Sequence, residues 1–117
     1  MGKIWLAEPE KHDFPAALDY LELLYPIAEV RQILKKLKKT ATIKKKAKDI
    51  LRACELSLLP KDNSEVQSKI NEVKKGKKLS PVLLVRKDDK LIIADGYHRI
   101  CAAYYLSEVL EVPCRLV

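Results

Sequence analysis

The sequence predicts an α+β fold, with an N-terminal helical layer packed on a small mixed β-sheet, and three observations carry that expectation. From Asp13 to Val73 apolar residues recur mainly at helical spacing. After Gly76 the pattern changes to short, β-branched stretches bounded by proline and glycine. The composition, 48% hydrophobic and 33% charged with three glycines in 117 residues, is that of one folded unit with a charged exterior rather than of a disordered chain.

Taken in order, Asp13 before Phe14-Pro15 reads as a helix cap with proline in the first turn, and Leu18, Leu21 and Leu24 continue the helix until Tyr25-Pro26. Pro26 opens a second helix. Its apolar stripe is Ile27, Val30, Leu34 and Leu37, which leaves Lys35, Lys36, Lys38 and Lys39 facing mainly outward. Thr40-Ala41-Thr42 is a break. A third helix is predicted from Ile43, with Ala47, Ile50, Leu51 and Cys54 on one side and Lys44, Lys45, Lys46 and Lys48 near its start. Asn63 or Ser64 caps a fourth helix carrying Val66, Ile70 and Val73, and Gly76 closes it.

The remainder is read as β-β-α-β. Pro81 to Arg86 and Leu91 to Ala94 form a hairpin around the turn at 87–90, a helix runs from Tyr97 to about Ser107, and Val112 to Val117 is a last strand. Pro113 suggests an edge or a strand start, because proline has no N–H for a ladder. Residues 1–48 are thus expected to be a helical extension of a core at 49–117, within a single domain.

Charge is unevenly placed. The net charge is +7, and the window from Arg31 to Arg52 holds ten Lys or Arg against one acid, Asp49. Cations at the start of the predicted third helix oppose its dipole by a few tenths of a kcal/mol each, about 0.3 or more, so something other than helix stability favours them. Cys54, Cys101 and Cys114 match neither a zinc motif nor a disulfide framework and read as buried thiols. No apolar run approaches the roughly 20 residues that span a bilayer, and the first residues lack the apolar stretch of a signal peptide. The expectation is a cytoplasmic protein with no membrane partner.

The chemistry is expected at Asp95-Gly96-Tyr97-His98-Arg99, where a strand ends and a helix begins. Unpaired N–H groups and the positive end of the helix dipole bind anions there. Gly96 permits close approach, and His98 and Arg99 add an imidazole and a guanidinium in the first turn. The plainer alternative is that Asp95 caps the helix, Arg99 pairs with a surface acid such as Glu108 or Glu111, and His98 fills space. Tyr97 either stacks on a base or shields the loop. No metal ligand set is read from the sequence, and His12 is given no role.

From about Asp49 to Val117 the chain resembles the ParB/sulfiredoxin-like fold. The resemblance rests on Leu79-Ser80-Pro81-Val82-Leu83-Leu84-Val85 and on Ile93-Ala94-Asp95-Gly96-Tyr97-His98-Arg99-Ile100-Cys101-Ala102-Ala103. Its Asp-Gly-x-His-Arg form is similar to that of the free-serine kinases of this fold. The resemblance implies a nucleoside di- or triphosphate, with or without Mg²⁺, held by Gly96, Tyr97, His98 and Arg99, with Ser80 and Lys78 brought to the same cleft. It further implies that Asp95 takes part in phosphoryl transfer or triphosphate hydrolysis, with Glu65 as the candidate second acid. Sulfiredoxin activity is not expected, since Tyr97 occupies the position of that family's cysteine. Nor is a complete partition protein, whose helix-turn-helix domain would follow the last strand.

Two other functions compete. The basic face, through Lys35, Lys36, Lys39, Lys44, Lys45 and Lys46, could neutralise the phosphates of DNA or RNA with a steep salt dependence, although aromatic residues are scarce in that window. Alternatively the domain is an interaction module without turnover.

Overall fold

The computed structural model describes residues 4–117, and the fold is α+β. Two helices come first, α1 (Asp13–Leu21) and α2 (Ile27–Lys39), then a short strand β1 (Ile43–Lys46). Helices α3 (Ala47–Cys54) and α4 (Ser64–Lys74) follow. The rest is the hairpin β2 (Val82–Lys87) and β3 (Lys90–Asp95), helix α5 (Tyr97–Leu106) and strand β4 (Glu111–Leu116).

The strands form one sheet in the order β1-β4-β2-β3. β2 and β4 are parallel, and the other two pairs are antiparallel. Because side chains alternate across a strand, the continuous apolar run Val82–Val85 feeds both faces. Leu83 and Val85, with Ile92 and Ala94, pack against Ala17 and Leu21 of α1 and Val30, Leu34 and Leu37 of α2. Val82 and Leu84, with Ile93, Val112 and Cys114, pack against α3, α4 and α5. Helices therefore cover both faces of the sheet, which is why β2 carries no polar residue before Arg86.

Several local expectations hold in detail. Asn63 caps α4, its side-chain oxygen accepting from Glu65 N at 3.0 Å and Val66 N at 3.2 Å. Gly76 follows α4 with φ +84°, the left-handed conformation that ends a helix without a Cβ penalty. At the far end of the chain Arg115 fastens α2, donating to Leu37 O at 3.3 Å and Lys38 O at 2.9 Å. A cation at the last carbonyls also complements the helix dipole.

The third helix is shorter than its apolar spacing suggested. Lys44, Lys45 and Lys46 lie on β1 rather than on a helix, and Ala47 is the first helical residue. The free edge of β4 offers ladder partners from Ile43↔Cys114 to Lys46↔Glu111, and Lys46, the last residue of β1, is also the N-cap of α3. Lysines also suit an open sheet edge, where they discourage further strand pairing. The helical extension at 1–48 is corrected accordingly, because β1 within it completes the sheet. Pro113 is not on an edge strand: β4 lies between β1 and β2, and its ladder to β2 starts only at Cys114. Finally, α1 stops at Leu21, and residues 22–24 form a turn before Pro26.

Among the described residues no helix is long and apolar enough to cross a membrane.

Candidate phosphate-binding site

The end of β3 and the start of α5 are joined by Gly96, whose φ is +117°. A Cβ at this position would lie 2.4 Å from Val82 Cγ1 and 2.9 Å from Arg99 Nη2. The glycine is thus required by the turn and by the close packing of β2 and Arg99 around it.

Arg99 faces inward. Its Nη2 lies 3.1 Å from Asp95 Oδ2 and donates to the carbonyl of Pro81 at 3.3 Å, while Nη1 lies 3.7 Å from Asp13 Oδ1. Asp13 is only 1% exposed, and its other oxygen accepts from Glu10 N at 2.9 Å. Asp13 is therefore an internal partner of Arg99 rather than the cap of α1, whose start has no side-chain cap. The surface acids Glu108 and Glu111 are not the partners of Arg99. Two carboxylates share one guanidinium here, an arrangement in which both ionise only at a Coulombic cost. Burial pushes the Asp95 carboxyl above its usual range, against the pull of Arg99, and the adjacent Asp13 pushes it further in the same direction.

The N-cap of α5 is Gly96, and no side chain caps the helix. Its start borders a cleft of about 510 Å³ lined by Asp95, Gly96, Tyr97 and His98, with Ala16 and Tyr20 of α1 and the length of β3 as walls. Cys54 and Leu56 close the side opposite α1. The Tyr97 hydroxyl donates to Ser57 O, and its ring lies 5.9 Å from that of His98. Tyr97 thereby ties the 55–63 loop to the start of α5. Further along the helix, Tyr105 does the same through Leu59 O at 2.5 Å.

The residues expected at this site separate into three groups. Asp95, Gly96, Tyr97 and His98 line the cleft. Arg99 and Ser80 are buried, 9% and 3% exposed, and neither lines it. Lys78 lies elsewhere, at a second cavity of about 490 Å³ with Trp5, Thr42, Lys44, Glu111 and Pro113. Glu65 is exposed in the first turn of α4 and does not line the cleft. Asp13 was missed: an acid beside Phe-Pro has the local signature of a cap, and its pairing with Arg99 spans most of the chain.

The six lysines proposed for nucleic acid are all exposed, Lys35, Lys36 and Lys39 on α2 and Lys44, Lys45 and Lys46 on β1. Among the described residues none of them pairs with a carboxylate. Nor do three His, Cys, Asp or Glu side chains converge into a metal-binding group among the described residues. The three cysteines are free and buried, and burial raises the thiols of Cys54 and Cys114 to about 11.

Comparison with protein-family models, with curated proteins and with solved structures gives no match for this chain.

Proposed function

We propose that the cleft between α1, β3 and the start of α5 binds the phosphates of a nucleoside di- or triphosphate, in a protein of the ParB/sulfiredoxin-like kind. The observation that carries this reading is the uncapped start of α5 beside His98. The N-cap of α5 is Gly96, which has no side chain, so the helix start carries no side-chain acceptor, and Gly96, Tyr97 and His98 line the cleft. An anion there gains from the helix dipole and from an imidazole in the same turn. The apolar wall of β3 and the ring of Tyr20 offer a surface for the base.

In this reading Arg99 acts indirectly, by holding Asp95 and the Gly96 turn in place, and His98 meets the phosphates. Asp95 lies at the edge of the cleft with a raised affinity for a proton, which suits a group that would accept one from an attacking hydroxyl or water. Mg²⁺, where required, would arrive with the nucleotide. The reading carries with it a cytoplasmic location, the compartment that supplies nucleotides.

Thermal unfolding with ATP, ADP, CTP and GTP, each with and without Mg²⁺, tests it. A ligand at ~100 times its Kd adds about 2.7 kcal/mol and shifts Tm by several degrees. The expected result is a shift with at least one nucleotide that His98→Ala reduces. No shift with any nucleotide, or one that His98→Ala leaves intact, rejects the site.

A further inference from the structure

The basic window lacks aromatic residues in sequence, but the fold supplies one. Trp5 lies in an extended segment bridged to Leu79, with Leu6 N donating to Leu79 O at 2.7 Å and Leu79 N donating to Ile4 O at 2.8 Å. That pairing places Trp5, whose side chain is partly buried against the core, in the lining of a cavity of about 490 Å³ shared with Lys44 of β1 and with Lys78. Lys44 and Lys46 stand on the same face of β1, opposite Pro113 and Glu111 of β4. They are separated by about 6.6 Å along the strand, close to the spacing of successive phosphates in an extended single strand. Among the described residues none of Lys44, Lys46 and Lys78 has a carboxylate partner, and Glu111 is the one acid at the cavity.

We propose that this cavity and the adjoining edge strand bind single-stranded nucleic acid, with a base against Trp5 and flanking phosphates on Lys44, Lys46 and Lys78. Cations tracking a backbone beside an aromatic platform are the two elements of sequence-tolerant single-strand binding. An acidic peptide would match the lysines but has no base to place against the ring. A duplex would keep its bases stacked inside, out of reach of a ring set within a cavity. The surface is separate from the α5 cleft, whose lining shares no residue with it.

Trp5 is the single tryptophan of the chain, so its fluorescence reports this cavity alone. Titration of the full chain with an oligothymidylate of about 12 nucleotides should quench that fluorescence to saturation. The affinity should fall with salt, with a log-log slope of about −0.7 per phosphate contacted. Lys44→Glu and Lys78→Glu should each weaken binding about tenfold or more and reduce the salt slope, whereas Lys61→Glu, the same charge change beyond α3, should do much less. Trp5→Leu, followed by anisotropy of a labelled oligonucleotide, should also weaken binding. Absence of quenching overturns the proposal, as do equal losses at Lys44 and Lys61, unaltered affinity in Trp5→Leu, or equal quenching by heparin. Tighter binding of a duplex than of the single strand also rejects it.

Discussion

Arg99 Nη1 lies 3.7 Å from Asp13 Oδ1, which joins α5 on one face of the sheet to α1 on the other. The same guanidinium holds Asp95 at 3.1 Å, which ties the end of β3 to the first turn of α5 across the Gly96 N-cap. One buried cation thus links two helices across the sheet.

Removing that cation should be costly. Arg99→Ala leaves the buried Asp13 with only Glu10 N and the exposed His12 ring, 3.6 Å away, beside it, and breaking a buried pair destabilises by about 3–5 kcal/mol. Urea unfolding measures it. In the Arg99→Ala background, Asp13→Asn should restore part of the loss, and additive single effects would show that the two residues are not coupled.

Asp95 should titrate above the ordinary carboxylate value of 3.8, since burial and Asp13 both favour its neutral form. The folded chain then binds this proton more tightly than the unfolded chain. Its contribution to stability is present below 3.8 and is lost as pH rises through the folded-state pKa. Carboxyl ¹³C NMR should show a lower Asp95 pKa in Asp13→Asn, where the neighbouring charge is gone; an unchanged or higher value contradicts the shared arrangement.

Gly96→Ala combines a left-handed backbone with a Cβ 2.4 Å from Val82 Cγ1. We expect a loss of about 2 kcal/mol or more, from overpacking and from the positive φ together. Gly76→Ala, where no atom lies within 4 Å of the added Cβ, carries the backbone penalty alone and should lose less. Equal losses in the two variants would mean that the Val82 contact relaxes freely.

The thiols should be silent in the native protein. Cys54 and Cys114 are raised to about 11 by burial, and Cys101 is raised for the same reason. At pH 8 a disulfide reagent should leave all three unmodified and should label all three in urea, as read by intact mass. Rapid labelling of Cys54, which lines the α5 cleft, would instead show that the cleft admits the reagent and that its sulfur is reachable.

Much of the fold was legible because its determinants are local. The apolar stripe Val30, Leu34 and Leu37 marks the buried face of α2, Asn63 caps α4, and the shift to β-branched residues after Gly76 places the hairpin. The reading fails at Ile43–Lys46, where apolar spacing and exposed lysines suit a helix until a strand edge is available to pair with. It fails similarly at Asp13, since capping and burial against a distant arginine leave the same local pattern.

The candidate site divides along the same line. The segment Asp95-Gly96-Tyr97-His98 was recognisable from a strand end, a glycine and a helix start, and these four residues do line one cleft. Arg99 was expected there as a first-turn residue of the helix, and Ser80 and Lys78 through the family resemblance, but folding sends the first two inward and the third to the cavity of Trp5.

The α+β class, the order of the C-terminal elements and the position of the strand-to-helix turn follow from the residues alone, because each depends on positions close together in the chain. That β1 completes the sheet, that Arg99 bridges Asp95 and Asp13, and that Trp5 shares a cavity with Lys44 and Lys78 emerge with the folded chain. Those outcomes depend on strand pairing and on buried charges finding partners, and both are settled by contacts between segments far apart in the chain.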